Sequence, residues 1–148
     1  QFKGTIFRQT MFAEFELEIG KAVAEGKTLT ADYLCGLYKK LNEDYFGPEM
    51  VVDDNIAVEW ARIPHFYSSF YVYKYATGMI SAISIVKRIL TEGESAVQDY
   101  FTFLSSGGCE DPVSILKKAG VDLTTSAPFE AAMEEFSATL QEFKTLLD

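Results

Sequence analysis

Hydrophobic positions recur with helical spacing along nearly the whole chain. The first apolar stripe follows the pattern i, i+4, i+5, i+8, i+12 and i+16, and consists of Phe7, Met11, Phe12, Phe15, Ile19 and Val23. The helix that carries it should end near Gly26, and Thr30 is a suitable N-cap for the next helix. Gly47 and Pro48 should stop that second helix. Its buried side is expected to consist of Leu34, Leu37, Tyr38, Leu41 and Tyr45.

Residues 49–62 are the ambiguous stretch. Their Val, Ile and Trp residues could suggest a strand, but an acidic turn interrupts them and no partner strand is visible. We predict an ordered loop with room for a short helical turn. Pro64 suits the first turn of a helix, and we predict one continuous helix over residues 64–91 that closes near Gly93. Its apolar middle, Met79–Leu90, should make it the central and most buried helix.

Three further helices are expected in the C-terminal third. Residues 95–105 form the first, with Val97, Tyr100, Phe101 and Leu104 facing inward and two glycines as its stop. Asp111 and Pro112 cap and open a helix that ends at Gly120. In the same way, Ser126 should cap a last helix with Pro128 in its first turn. Its apolar residues are Phe129, Met133, Phe136, Leu140, Phe143 and Leu147. The pattern predicts a single all-α segment over residues 1–148 with about six helices.

Composition narrows the class of protein. The 148 residues are 48% hydrophobic and 14% aromatic, which favours a folded domain over disorder. A net charge of −9 disfavours nucleic-acid binding, and the few basic pairs are isolated from one another. No apolar run reaches the length of a membrane-spanning helix, so we expect no membrane partner. Cys35 and Cys109 form no CxxC pair, which favours reduced thiols in the cytoplasm over a disulfide.

The first residues already look like the middle of a helical domain. The chain opens with Gln1, and apolar Phe2, Ile6 and Phe7 follow at once. We therefore expect the chain to be part of a longer protein. If the half that it normally packs against is missing, the chain should expose apolar surface and have a tendency to self-associate.

Candidate chemistry is concentrated in residues 63–78, IPHFYSSFYVYKYATG, which hold the only histidine and four of the eight tyrosines. On a continuous helix His65, Ser68, Val72 and Tyr75 would share one face. An imidazole and a phenol on a rigid helix could both donate hydrogen bonds to a developing oxyanion. However, a lone histidine on an aromatic helix is more often a structural residue, and tyrosine-rich helices usually serve packing. Spacing alone leaves both readings open.

Several segments, in order along the whole chain, resemble the oligoendopeptidase F branch of the thimet-type zinc metallopeptidases. One of them is the His–Tyr segment, in which Arg62–Tyr67 and Phe70–Gly78 closely resemble that family. The others are Thr5–Glu16 (TIFRQTMFAEFE), Tyr45–Pro48 (YFGP), Glu59–Arg62 (EWAR), Phe103–Gly108 (FLSSGG) and Lys117–Asp122 (KKAGVD).

The resemblance implies that the chain is the C-terminal part of the catalytic domain of a zinc metalloendopeptidase that hydrolyses short peptides. It assigns catalytic roles to His65 and Tyr75, which bind substrate and stabilise the tetrahedral intermediate. It makes Tyr67, Ser68, Tyr71 and Tyr73 candidates for substrate binding. Ser68 departs from the family, in which many relatives carry a tyrosine at that position.

The zinc ligands of the family are absent from this sequence. One histidine cannot form an HExxH motif, so the zinc of the full-length enzyme should be bound by residues upstream of Gln1. We expect no metal site in this chain, and we assign Glu14, Glu16 and Glu18 to caps and salt bridges. The expected partners are short peptide substrates and the missing N-terminal part, and the chain alone should be inactive. The alternative is a non-catalytic all-α protein-interaction module.

Overall fold

The computed structural model describes residues 1–147, and every regular element among them is helical. The α-helices are α1 (Arg8–Ala24), α2 (Ala31–Phe46), α3 (Tyr73–Glu92), α4 (Glu94–Ser105), α5 (Pro112–Lys118) and α6 (Ala127–Leu147). A π-helical turn, Lys3–Phe7, leads into α1, and two 3₁₀ helices, Asp54–Arg62 and Pro64–Tyr67, precede α3. The predicted all-α fold is therefore confirmed. None of the helices in residues 1–147 combines the length and apolar character that a membrane span requires.

Local capping signals place several helix ends where the sequence predicts them. The Thr30 hydroxyl accepts a hydrogen bond from the backbone N–H of Tyr33 at 3.2 Å, which begins α2. The Asp111 carboxylate accepts from the N–H groups of Val113 and Ser114 at 3.1 and 3.0 Å, which begins α5. Each side chain satisfies donors that a helix start otherwise leaves unpaired.

The chain divides into two compact units. The first is Gln1–Ala76, and the second begins at Thr77, inside α3. The core of the first unit contains Met11, Phe12, Phe15, Tyr38, Leu41, Ile63 and Val72. Phe15 and Tyr38 pack edge to face with ring centroids 5.1 Å apart. The apolar stripe of α1 is thus buried as predicted at Met11, Phe12 and Phe15, but Val23 at its end is 55% exposed.

The second unit has a smaller core of Ile85, Ala119 and Val121, with Tyr100 and Phe103 packed against it. Arg88 links α3 to the C-terminal end of α5, since its Nη1 donates to the carbonyl oxygen of Ala119 at 2.6 Å. A Cβ at Gly120 would lie 1.9 Å from Arg88 Nη1, and the φ of Gly120 is +77°. The positive φ favours glycine at this position, and a larger residue would also displace the Arg88 guanidinium group from its present place.

Two packing predictions for this part of the chain are wrong. Met79–Leu90 is not the most buried stretch, because only one face of α3 is covered: Ile80 and Ile85 are buried, while Leu90 is 80% exposed. On α4, Phe101 and Leu104 were expected to face inward, yet both are more than half exposed. Helical periodicity finds the apolar faces but does not say which of them another element covers.

Candidate active site

The His–Tyr segment is not one continuous helix. A 3₁₀ helix, Pro64–Tyr67, ends at an extended Ser68, and α3 begins only at Tyr73. The predicted helix over residues 64–91 is therefore wrong in its first turns. With this turn, both Ile63, which precedes the 3₁₀ helix, and Val72, which precedes α3, pack in the core of the first unit.

The turn nevertheless brings His65 and Tyr75 together. The Tyr75 hydroxyl lies 3.1 Å from Nε2 of His65, and the two rings meet edge to face at 5.5 Å. Tyr71 stacks on the imidazole, with centroids 5.5 Å apart and an interplanar angle of 15°. Tyr71 also lies edge-on to Tyr75 at 5.7 Å. We call these three residues the His–Tyr cluster.

The remaining predicted site residues take other positions. Val72 does not share a face with His65, as the helix prediction required, because it is fully buried in the core. Ser68 is exposed, and its backbone N–H donates to the carbonyl oxygen of His65 at 3.0 Å. The Tyr67 hydroxyl donates to the carbonyl oxygen of Ala61 at 3.2 Å rather than to the cluster. Tyr73 is the first residue of α3 and is 48% exposed.

The residues next to the cluster in the sequence pack in the apolar core. Phe66, next to His65, packs against Phe12 and Phe15 with ring centroids 5.3 Å apart in both pairs. Val72, between Tyr71 and the start of α3, has no exposed surface. The positions of the His65 and Tyr71 rings are thus fixed by the adjacent residues Phe66 and Val72, whose side chains pack in the core. Because Tyr75 is 37% exposed, the cluster is accessible from solvent.

Hydrogen bonding also affects the pKa of Tyr75. The hydrogen bond with Tyr71, and to a lesser extent burial, raises this pKa above its ordinary value. The phenol, which is protonated at neutral pH even at its ordinary pKa of 10, thus keeps its proton over a wider pH range. A protonated phenol beside an imidazole is a hydrogen-bond donor suited to a carbonyl oxygen that gains negative charge.

A buried carboxylate stabilises the 3₁₀ helix that precedes His65. Glu59 accepts hydrogen bonds from the Tyr38 hydroxyl and from Arg8 Nη2, both at 2.7 Å, and also pairs with Arg62. Burial by itself would raise the pKa of Glu59. The bonds from Tyr38 and Arg8 and the charges of Arg8 and Arg62 outweigh burial and lower that pKa. The carboxylate is therefore ionised and fully paired.

Helix α1 contacts the turn between the two parts of the cluster. Phe70 has φ of +54°, a left-handed conformation that costs a residue with a Cβ about 1–2 kcal/mol. Its backbone N–H donates to Glu16 Oε1 at 3.0 Å. Sequence reasoning missed this contact, because it assigned Glu14, Glu16 and Glu18 together to caps and salt bridges. Only Glu18 makes a salt bridge, with Lys21 at 2.7 Å, while Glu14 accepts from the Tyr45 hydroxyl.

The residues described here do not fit a zinc ion. Within residues 1–147 no group of three His, Cys, Asp or Glu side chains is close enough together to hold a metal. His65, the single histidine, is engaged with Tyr75.

Comparisons with known proteins agree with one another. The sequence model of peptidase family M3 matches residues 1–135. The chain is 50% identical over 146 residues to oligopeptidase PepF of Bacillus subtilis and 45% identical over 148 residues to group B oligopeptidase PepB of Streptococcus agalactiae. In both cases 99% of the chain is aligned, and it covers 22% and 24% of these relatives.

A solved structure has the same fold. The crystal structure of oligoendopeptidase-F from Enterococcus faecium superimposes with a TM-score of 0.95 at 45% sequence identity. The match covers 99% of the chain and 28% of that structure. The chain therefore spans about a quarter of the length of the proteins that it matches.

Proposed function

Because the chain belongs to peptidase family M3, we propose that it forms part of an oligoendopeptidase F-like zinc endopeptidase that hydrolyses short peptides. One observation carries the proposal. A chain that aligns over 99% of its length with oligopeptidases holds its single imidazole 3.1 Å from a phenol on a solvent-accessible surface. We place the enzyme in the cytoplasm, since both Cys35 and Cys109 are free thiols.

In this proposal His65 and Tyr75 stabilise the oxyanion that forms when water adds to the scissile carbonyl. The C=O double bond becomes a C–O⁻ single bond, and its negative charge requires donors in place before the reaction. If the imidazole donates to the phenol oxygen, the phenol proton is left free to reach the substrate oxygen. Tyr71 stacks on His65, and we propose that it binds the peptide main chain together with Tyr67, Ser68 and Tyr73 from the same segment.

Zinc, the metal that the family implies, does not fit the described residues, so its ligands would belong to another part of the longer enzyme. This chain then contributes donors and substrate contacts but no metal ligand. The 148 residues alone should be inactive, and peptides and the metal-binding part of the enzyme are their proposed partners. A purified 148-residue chain that cleaves peptides would contradict this division of roles.

The test of the proposed role is His65→Ala in the full-length enzyme. We expect kcat to fall by roughly 10²–10³, the loss expected for one oxyanion donor. Glu18→Ala is the control, because it breaks an exposed pair with Lys21 on α1, outside the cluster, and should change kcat little. If the His65 variant keeps kcat within a few-fold, the role is wrong and a non-catalytic interaction module becomes the better account.

A further inference from the structure

Two neighbouring positions on α1 contact the turn that joins His65 to Tyr75. Glu16 Oε1 accepts the backbone N–H of Phe70 at 3.0 Å, across 54 residues of sequence. Gly20 lies one helical turn further along, and a Cβ there would lie 4.0 Å from Cζ of Phe70. One position thus binds the backbone of Phe70, and the next lies beneath its ring at contact distance.

The turn at Phe70 needs such support. It is the one non-glycine residue of residues 1–147 with a positive φ, and its ring is 58% exposed, so core packing does not hold it in place. A bulky residue stays in the left-handed region only where its surroundings stabilise that conformation. Tyr71 follows immediately, and a relaxed Phe70 would change the direction in which Tyr71 and Tyr75 leave the turn.

The Glu16 side chain shows few other attachments. Its second oxygen, Oε2, is buried and has no hydrogen-bond partner within the described residues. A buried carboxylate oxygen without a partner is unfavourable. The favourable contact of this side chain is the hydrogen bond that its other oxygen, Oε1, accepts from the Phe70 N–H.

We propose that Glu16 is a positioning residue that holds Phe70 in its left-handed turn and thereby keeps Tyr71 and Tyr75 against His65. Glu16 touches neither ring of the pair and acts through the backbone. The geometric part of this inference stands by itself. Its catalytic consequence rests on the proposed function of His65 and Tyr75.

The geometric part can be measured by NMR on the 148-residue chain. Because His65 is the only histidine, isotope-labelled histidine gives one set of ring signals. We expect nuclear Overhauser contacts from this ring to Tyr71 and Tyr75, and their loss in Glu16→Ala. Glu16→Gln retains an acceptor oxygen and should keep them. The control Glu18→Ala removes an equal charge from the same helix and should also keep them.

A rescue experiment separates backbone positioning from a general loss of structure. Asparagine tolerates the left-handed region better than phenylalanine. Adding Phe70→Asn to Glu16→Ala should therefore restore the ring contacts. If Glu16→Ala does not fold, Glu16→Asp replaces it, because the shorter side chain withdraws the acceptor while keeping the charge. Ring contacts that persist in Glu16→Ala or Glu16→Asp would overturn the inference, as would loss of contacts that Phe70→Asn fails to restore.

Kinetics of the full-length enzyme then separate the two proposals. Glu16→Ala should lower kcat by up to about 10²-fold, as expected for misplaced catalytic groups. Glu16→Gln should recover most of that loss. If the ring contacts are lost but kcat is unchanged, positioning by Glu16 stands and the catalytic role of the pair fails. If kcat falls while the ring contacts persist, the positioning role is overturned and the role of the pair is untouched.

Discussion

Two polar groups only six residues apart, Glu59 and His65, lie in opposite environments. Glu59 is 7% exposed, ionised and bonded to Tyr38, Arg8 and Arg62. His65 is half-buried and is bonded through Nε2 to a phenol that solvent reaches. The buried carboxylate already bonds to three side chains, while the His65–Tyr75 pair has one hydrogen bond at a surface that solvent reaches. The contrast leads us to expect that Glu59 stabilises the fold and that the proposed role of His65 and Tyr75 is in binding.

The largest effect on stability should follow Glu59→Ala. The substitution leaves the hydroxyl of the fully buried Tyr38 without its acceptor, which costs about 1–3 kcal/mol, while Arg8 and Arg62 can turn to solvent. Denaturant unfolding of the 148-residue chain measures the loss. Glu18→Ala, which breaks an exposed pair with Lys21, should cost less than about 1 kcal/mol. Equal losses of unfolding free energy in the two variants would show that Glu59 stabilises the fold no more than an exposed carboxylate does.

Tyr75→Phe, in contrast, should lower activity without lowering stability. It keeps the ring but removes the hydroxyl that lies 3.1 Å from His65 Nε2. We expect kcat of the full-length enzyme to fall by about 10²-fold, with the melting curve of the chain unchanged. A variant that melts early but turns over normally would show that the phenol serves the fold instead.

Acid should destabilise the folded chain by protonating Glu59. Its pKa is lowered in the folded chain from an ordinary value of 4.5. The stability that its ionised form contributes is therefore complete above pH 4.5 and is lost as the pH falls through the lowered value. Unfolding free energies measured between pH 7 and lower pH should show this loss, and Glu59→Gln should flatten it. An unchanged slope in that variant would assign the acid sensitivity to other carboxylates.

The smallest expected change follows Tyr71→Phe. The ring remains to stack on His65, but the hydrogen bond that raises the pKa of Tyr75 is removed. The pKa of Tyr75 should therefore fall towards its ordinary value. Carbon-13 NMR titration of labelled tyrosines, with Tyr75→Phe used to assign the signal, measures it. A pKa that stays raised would place the cause outside Tyr71.

Local signals predicted the helix ends well. Thr30 and Asp111 cap their helices through side chains that act within three residues, so the sequence contains the whole interaction. The resemblance to oligoendopeptidase F is also confirmed, because the family model and relatives at 40–50% identity cover nearly the whole chain.

Local sequence signals do not predict the long-range packing. Helical spacing runs smoothly through residues 64–91, and no glycine or proline near Phe70 marks the break. Val72, beside the break, packs in a core whose other members are distant in the sequence. The shared helix face of His65 and Tyr75 was wrong, although the turn places the two side chains side by side. Glu16 could not be assigned, because its partner is a backbone N–H 54 residues away.

The central claim is that His65 and Tyr75 act as one unit on the substrate. A double-mutant cycle on kcat of the full-length enzyme tests it directly, using His65→Ala, Tyr75→Phe and the double variant. The account predicts that the double variant is no more than a few-fold slower than the slower single variant. If the two losses multiply, the residues act independently and the claim is contradicted.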